Sequence, residues 1–323
     1  MFGESAGRQS VYANLASPTA GGLFQRAIAE SGAYVEFQSY FNFIVARTVG
    51  ETIGTSVQSG AAIANSVGCS SQTAACLRAV PAATLALQEP GTIYPFVDGT
   101  ILPQTPTQAF VRGKFNRVPV MSGGNHDEWR SFIPNLTDAE YPSAVASLVA
   151  MPVTSELVQF LVNVLYRLSN YPPPPGVMSA PLALGALGTD EIFACPERNS
   201  VQLLSQFVTT HAYEFNDKNA PSLFANPGFP LGAYHGSELQ YLFDLNQRFT
   251  GTNPFTPDQR ALSQAMIDYW TPFATAGDPN SSSTPVWSAY DSAVDHFQSL
   301  VPPSPEVESS FNTDHQCSFW NGL

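Results

Sequence analysis

The sequence predicts an α/β domain built around parallel strands. Short apolar segments of strand length recur at 26–32, 118–124, 207–215 and 296–301. Long stretches with helical spacing separate them, and no internal repeat is present. Strands that alternate with helices pair in parallel, because each crossover must return the chain to the same end of the sheet.

The elements follow in order. Residues 5–17 read as a helix, and Arg26 to Gly32 as a buried strand closed by glycine. Residues 41–67 carry apolar residues at helical spacing, with Gly68 as the stop. Val118 to Gly124 is the next strand, entered through Pro119. Residues 153–169 form an amphipathic pattern that Tyr171-Pro172-Pro173-Pro174-Pro175-Gly176 ends as a stiff connector. A helix over 196–206 precedes a strand over 207–215. A helix over 257–275 stops at Gly277-Asp278-Pro279-Asn280, and Ser281 to Pro285 is a solvated loop. His296 to Val301 is a last strand, and a short helical segment surrounds Trp320.

Composition narrows the function classes. With 323 residues and 44% hydrophobic content, the chain can bury a substantial core. Lys and Arg total 13 against 26 Asp and Glu, a net charge of −13 that repels phosphate backbones and argues against nucleic-acid binding. No apolar run reaches the roughly 18 to 20 residues of a membrane span. No basic and apolar leader opens the sequence. Cys69, Cys76, Cys195 and Cys317 lie outside any histidine or cysteine cluster, which argues against zinc. Four buried thiols, or two disulfides in an oxidising compartment, both fit them.

The chemistry begins at Gly3-Glu4-Ser5-Ala6-Gly7. A G-x-S-x-G turn between strand and helix lifts a serine to the top of a parallel sheet. Alone it is a weak signal, since glycine and serine are common. Its natural partners are an acid and then a histidine, in that chain order. Gly123-Gly124-Asn125-His126-Asp127-Glu128 follows the strand at 118–122, and ligand groups collect at such strand ends. Gly232-Ala233-Tyr234-His235-Gly236-Ser237-Glu238 follows the strand at 207–215 after a Pro- and Gly-rich loop. Glu128 is therefore the candidate acid, with Asp127 as its competitor, and His235 the candidate base. His126 fits a rim role, His211 a packed strand position, and His296 and His315 match no catalytic motif. Glu238 fits either a tuning or a buried structural role.

These motifs together resemble the type-B carboxylesterase and cholinesterase family. Further stretches carry the likeness: Ala29-Glu30-Ser31-Gly32, Cys76-Leu77-Arg78, Val97-Asp98-Gly99-Thr100-Ile101-Leu102-Pro103, and Thr189-Asp190 to Cys195-Pro196. Tyr269-Trp270 to Asn280 and Cys317-Ser318-Phe319-Trp320-Asn321 complete it. The resemblance implies an α/β-hydrolase fold and a serine esterase that needs no metal or cofactor and acts on small, fairly apolar esters. Ser5 would be the nucleophile, His235 the base, Glu128 the orienting acid, and the Ala6 N–H an oxyanion donor. Ser31 would hydrogen-bond the acid, and Phe132, four residues past Glu128, would either line the substrate pocket or pack as core. It also implies the bridges Cys69–Cys76 and Cys195–Cys317, and with them a secreted, extracellular protein. Asn135-Leu136-Thr137 and Asn280-Ser281-Ser282 are acceptor sequons there.

Two departures stand out. Arg8 replaces a small residue after the elbow, so it must snorkel out, pair with an acid, or crowd the turn. Trp129 stands where many members have glycine, and either narrows the pocket or caps the loop. Family members also carry roughly 150 to 200 residues before the elbow, within the span of a single α/β domain. Residues 1–323 would thus be the carboxyl-terminal portion of one domain, lacking the first strands and the H-G-G-G-type oxyanion loop. Such a chain would be impaired as a catalyst, or act as a non-catalytic binding module of the same fold. Its open sheet edge would favour self-association.

Overall fold

A computed structural model describes residues 1–32, 53–88, 95–243, 245 and 255–322, the side chains of 53–59 excepted. Six strands form one sheet in the order β1 (Phe2–Glu4), β2 (Ala27–Glu30), β3 (Val120–Asn125), β4 (Thr210–Phe215), β5 (Phe297–Leu300) and β6 (Glu306–Glu308). The first five pair in parallel. β6 returns antiparallel, which the sequence reading missed, because Pro302, Pro303 and Pro305 hide a three-residue strand.

Side chains alternate across the sheet, as strand geometry requires. Ile28, Met121, Tyr213 and Phe215 join one core with Tyr269, Phe273 and Trp287. Ala27, Ala29 and Val120 join another with Val11, Tyr12 and Leu15 of helix α1 (Ala6–Ala16). All four residues of β2 and all six of β4 are buried, polar Glu30, Thr210, His211 and Glu214 included, so neither strand has a solvent face.

The helices depart from expectation where packing overrides pattern. Helix α2 (Ile53–Ser66) and its stop at Gly68 (φ 80°) match the end of the helical stretch expected over 41–67, whose residues 41–52 lie outside the described residues. The helix expected over 153–169 breaks into an α turn (Glu156–Phe160), a π turn (Leu161–Leu165) and a 3-10 turn (Leu168–Asn170). The carbonyl of Tyr166 accepts from the Tyr141 hydroxyl at 2.7 Å, and its own hydroxyl donates to Asp190 at 2.7 Å. Those side-chain bonds hold it outside a continuous ladder.

Helix α3 (Ala180–Thr189) was not expected. Nine of its ten residues are buried, so it lacks the polar stripe by which a surface helix is recognised. It runs through a π turn (Asp190–Ala194) into α4 (Cys195–Ser205). Helix α5 (Pro257–Ala276) opens with a Thr256/Gln259 capping box and closes on left-handed Gly277, whose N–H reaches the Phe273 carbonyl at 2.7 Å. The bridges Cys69–Cys76 and Cys195–Cys317 are both present, and the second ties the tail turn (Cys317–Trp320) to α4 across 122 residues. No helix among the described residues is long and apolar enough to cross a membrane.

Candidate active site

Ser5 joins β1 to α1 at φ 56°, ψ −120°, a backbone region that non-glycine residues rarely occupy. Its N–H is pinned to the Glu30 carbonyl at 3.0 Å. Gly3 is dictated by this turn: a Cβ there would lie 2.5 Å from the Gly7 carbonyl. Gly7 faces open space, so only the first glycine of the motif is required by contact. Ala6 opens α1 and is exposed.

Arg8, one turn on, is buried and pairs with Glu197 of α4, and its Nη2 donates to the Ser122 hydroxyl at 3.1 Å. The guanidinium also lies 4.5 Å from the Tyr12 ring centroid. Of the three fates open to this arginine, pairing with an acid is realised, and it ties the elbow helix to β3 and α4.

Glu128 opens a 3-10 turn (Glu128–Phe132) just past β3, and is fully buried. Its Oε2 lies 2.6 Å from His235 Nδ1, and its Oε1 accepts the Asn125 N–H at 2.7 Å. Ser31 lies alongside but makes no hydrogen bond to Glu128. Its hydroxyl is buried without a partner among the described residues. The bond expected of Ser31 is thus supplied by the Asn125 backbone, which no side-chain motif reveals.

His235 reaches the site from the loop after β4. Its Nε2 faces Glu4 Oε1 at 3.1 Å, and among the described residues the Ser5 hydroxyl makes no hydrogen bond. Burial disfavours the His235 imidazolium, but Glu128 and then Glu4 outweigh it and raise its pKa above the usual 6.5. Burial lifts Glu4 to about 7, with His235 opposing and Glu128 adding to the shift. Glu30 is likewise lifted to about 7 by burial, although its Oε1 accepts the Trp270 indole N–H at 2.7 Å. Glu238 is fully buried, accepts from the Asn125 side-chain amide, and is pushed well up by burial and then by Glu4. Glu4, Glu30, Glu128 and Glu238 thus crowd one another, and two of them, Glu128 and Glu4, face His235.

An aromatic wall stands beside it. The ring of half-exposed Phe132 is centred 5.0 Å from that of His235, and buried Phe193 lies 5.3 Å away on the same imidazole. Phe193 escaped the sequence reading because it belongs to the π turn between the unexpected α3 and the expected α4. Trp129 packs beside Phe132 at 5.1 Å, and its N–H donates to Thr189 Oγ1 at 3.0 Å. It therefore caps the loop against α3.

The remaining candidates sit elsewhere. Asp127 turns away from His235 toward Arg130 at 2.9 Å and the Ala233 N–H at 3.0 Å. His211 is buried against Phe273 and Trp287, and burial lowers its pKa. His296 is exposed. His315 is buried between Asp190 (Nδ1, 2.7 Å) and Glu214 (Nε2, 2.5 Å). Ligand atoms of His126, Glu214 and His315 lie within 4.8 Å of one another. Both ring nitrogens of His315 are already taken by carboxylates, however, so this group does not form an open metal cradle. A cavity of about 420 Å³ between α1 and residues 95–102 touches neither Ser5, Glu128 nor His235.

Comparison with known proteins bears on this arrangement. A sequence profile described as the carboxylesterase family matches residues 1–320. The chain is 28% identical to human "Cocaine esterase", with 99% of the chain aligned to 56% of that protein. It is 29% identical to rat "Carboxylesterase 1E", with 92% of the chain aligned to 55% of that protein. It is 29% identical to "Carboxylesterase 3" of Pongo abelii, with 99% aligned to 57%. The chain thus spans little more than half the length of these relatives. An elbow serine on a parallel sheet, a buried glutamate bonded to a loop histidine, and a family match along almost every residue lead to one statement: the chain belongs to the carboxylesterase family.

Proposed function

We propose that the protein is a serine carboxylic-ester hydrolase acting through an acyl-enzyme. The observation that carries this reading is the 2.6 Å contact between Glu128 and His235 at the sheet end where Ser5 sits in its strained turn. Ser5 Oγ attacks the ester carbonyl carbon and its proton passes to His235 Nε2. The tetrahedral oxyanion is held by donors that include the Ala6 N–H. Collapse breaks the bond to the alcohol oxygen, which leaves with the proton from Nε2. A water, deprotonated by the same nitrogen, then splits the acyl–Ser5 ester and frees the acid. Glu128 holds Nδ1, which leaves Nε2 as the nitrogen to take the serine proton. Ser31 stays beside the acid as packing. Phe132 and Phe193 offer an apolar wall that suits small, fairly apolar esters, in keeping with relatives named as esterases. The two disulfides fit a secreted or luminal protein. Self-association through the outer edge of β1, unpaired among the described residues, belongs to the same proposal and is tested by sedimentation.

A second reading, an impaired or purely binding form, is favoured by one observation. Glu4 stands against the ring nitrogen that Ser5 needs. Catalytic hydrogen bonds are often loose until substrate binds, so the geometry leaves the enzyme reading ahead. Purified protein should hydrolyse p-nitrophenyl acetate and butyrate, and Ser5→Ala should abolish the activity. Equal rates for the two proteins would select the second reading.

A further inference from the structure

Asp127, the neighbour of the acid, makes a set of contacts that the hydrolytic mechanism does not use. Its N–H donates to the Ala233 carbonyl at 2.9 Å, and its Oδ2 accepts the Ala233 N–H at 3.0 Å. One residue thus grips the backbone of Ala233 from both sides, two positions before His235. Its other oxygen, Oδ1, is held by Arg130 Nη2 at 2.9 Å and lies 3.2 Å from His126 Nδ1. Arg130 Nη1 also reaches the Pro230 carbonyl at 3.4 Å, farther up the same loop.

The surroundings are shaped to this grip. Gly232 has φ +68°, and a Cβ there would come within 2.1 Å of Asp127 Oδ2 and 2.8 Å of Arg130 Nη1. Three residues before Glu128, Asn125 Nδ2 donates to the Tyr234 carbonyl at 2.8 Å. Two residues just ahead of the acid therefore bind the two residues just ahead of the histidine. Asp127 is almost fully buried. Burial opposes its charge, but Arg130 and then His126 outweigh it and keep its pKa well below the ordinary carboxylate range. It serves as a fixed, ionised acceptor.

We propose that Asp127 is a positioning residue. By clamping Ala233, it sets the distance and angle at which the His235 loop meets Glu128, and it does not itself touch the imidazole. The proposal rests on the reading of Glu128 and His235 as acid and base. Glu128 and His235 come from loops 107 residues apart, and a misplacement of 1 Å in such a pair can cost about 10²-fold in rate.

The test pairs kinetics with a readout that needs no turnover. In Asp127→Ala, kcat for p-nitrophenyl butyrate should fall about 10- to 100-fold with KM little changed. The low-field proton resonance of His235 Nδ1–H, identified by its loss in His235→Gln, should broaden or shift. Asp127→Asn keeps an acceptor for the Ala233 N–H and should restore both kcat, to within about threefold, and the resonance. A purely structural role predicts a lower melting temperature in both variants, with kcat and the resonance unmoved, and that result overturns the proposal. If Asp127→Ala fails to fold, Asp127→Asn decides alone: a loss of about tenfold or more would show that charge rather than the clamp matters. If the parent protein lacks esterase activity, the hydrolytic reading fails first. The resonance still tests the clamp, and an unchanged His235 signal in Asp127→Ala would overturn it.

Discussion

At the scale of single residues, the histidine sits between two acids with different duties. Glu128 holds Nδ1, whereas Glu4 faces Nε2, the nitrogen that must be unprotonated to accept the serine proton. Glu4 therefore favours the imidazolium and opposes the basic form. Glu4→Gln removes that charge and lowers the His235 pKa, so the acid limb of the kcat/KM profile should move to lower pH. A limb that stays in place, or moves upward, would separate Glu4 from the histidine. The pairing of Glu128 with His235 was legible because each stands in a short local motif after a strand. Asn125, Glu4 and Phe193 were not, because their roles arise from contacts through space: a backbone N–H, a neighbouring carboxylate, and a ring on a distant turn. Arg8 shows the limit from the other side. Sequence offered three fates for it, and only the position of Glu197 across the core selects one.

At the scale of elements, α3 supports the acid loop through small residues, Gly188 against Trp129 and Gly185 against Arg130. A Cβ on Gly188 would stand 2.1 Å from Trp129 Cδ1, and Trp129 adjoins Glu128. Gly188→Ala must push the indole out of its seat. Such overpacking costs about 1–3 kcal/mol. The expected result is a lower denaturant midpoint together with reduced kcat, because the same indole carries the turn that presents Glu128. An unchanged midpoint would mean that the loop yields without cost. Helix α3 escaped the sequence because it is apolar on nearly all sides and shows no polar stripe. The segment after Glu156 does show a helical period, but the hydrogen bonds of Tyr166 break its ladder. The inner parallel strands were legible as short segments rich in apolar residues, although β4 also carries Thr210, His211 and Glu214.

At the scale of the whole molecule, the tail is fastened by one disulfide and one buried cation. His315 lies two residues before Cys317, with Asp190 and Glu214 on its two nitrogens. Burial disfavours its charge, yet Glu214 and then Asp190 raise its pKa well above 6.5. Burial opposes the Glu214 charge, but His315 and then His126 outweigh it and lower its pKa, while burial leaves Asp190 raised. A group raised on folding stabilises fully below its unfolded pKa of about 6.5, and that contribution fades as pH climbs through the folded value. His315→Gln breaks a buried pair and should cost about 3–5 kcal/mol near neutrality. The gap between parent and variant urea midpoints should narrow on the alkaline side. A gap that widens there would reverse the assigned charge.

The bridges that fasten the fold also leave residues 1–323 without a free thiol, since all four cysteines are spent in them. A cysteine introduced at half-exposed Phe132 would thus be the sole thiol of this chain. A fluorophore or spin label placed on it would report from beside the His235 ring alone, with no background labelling to subtract.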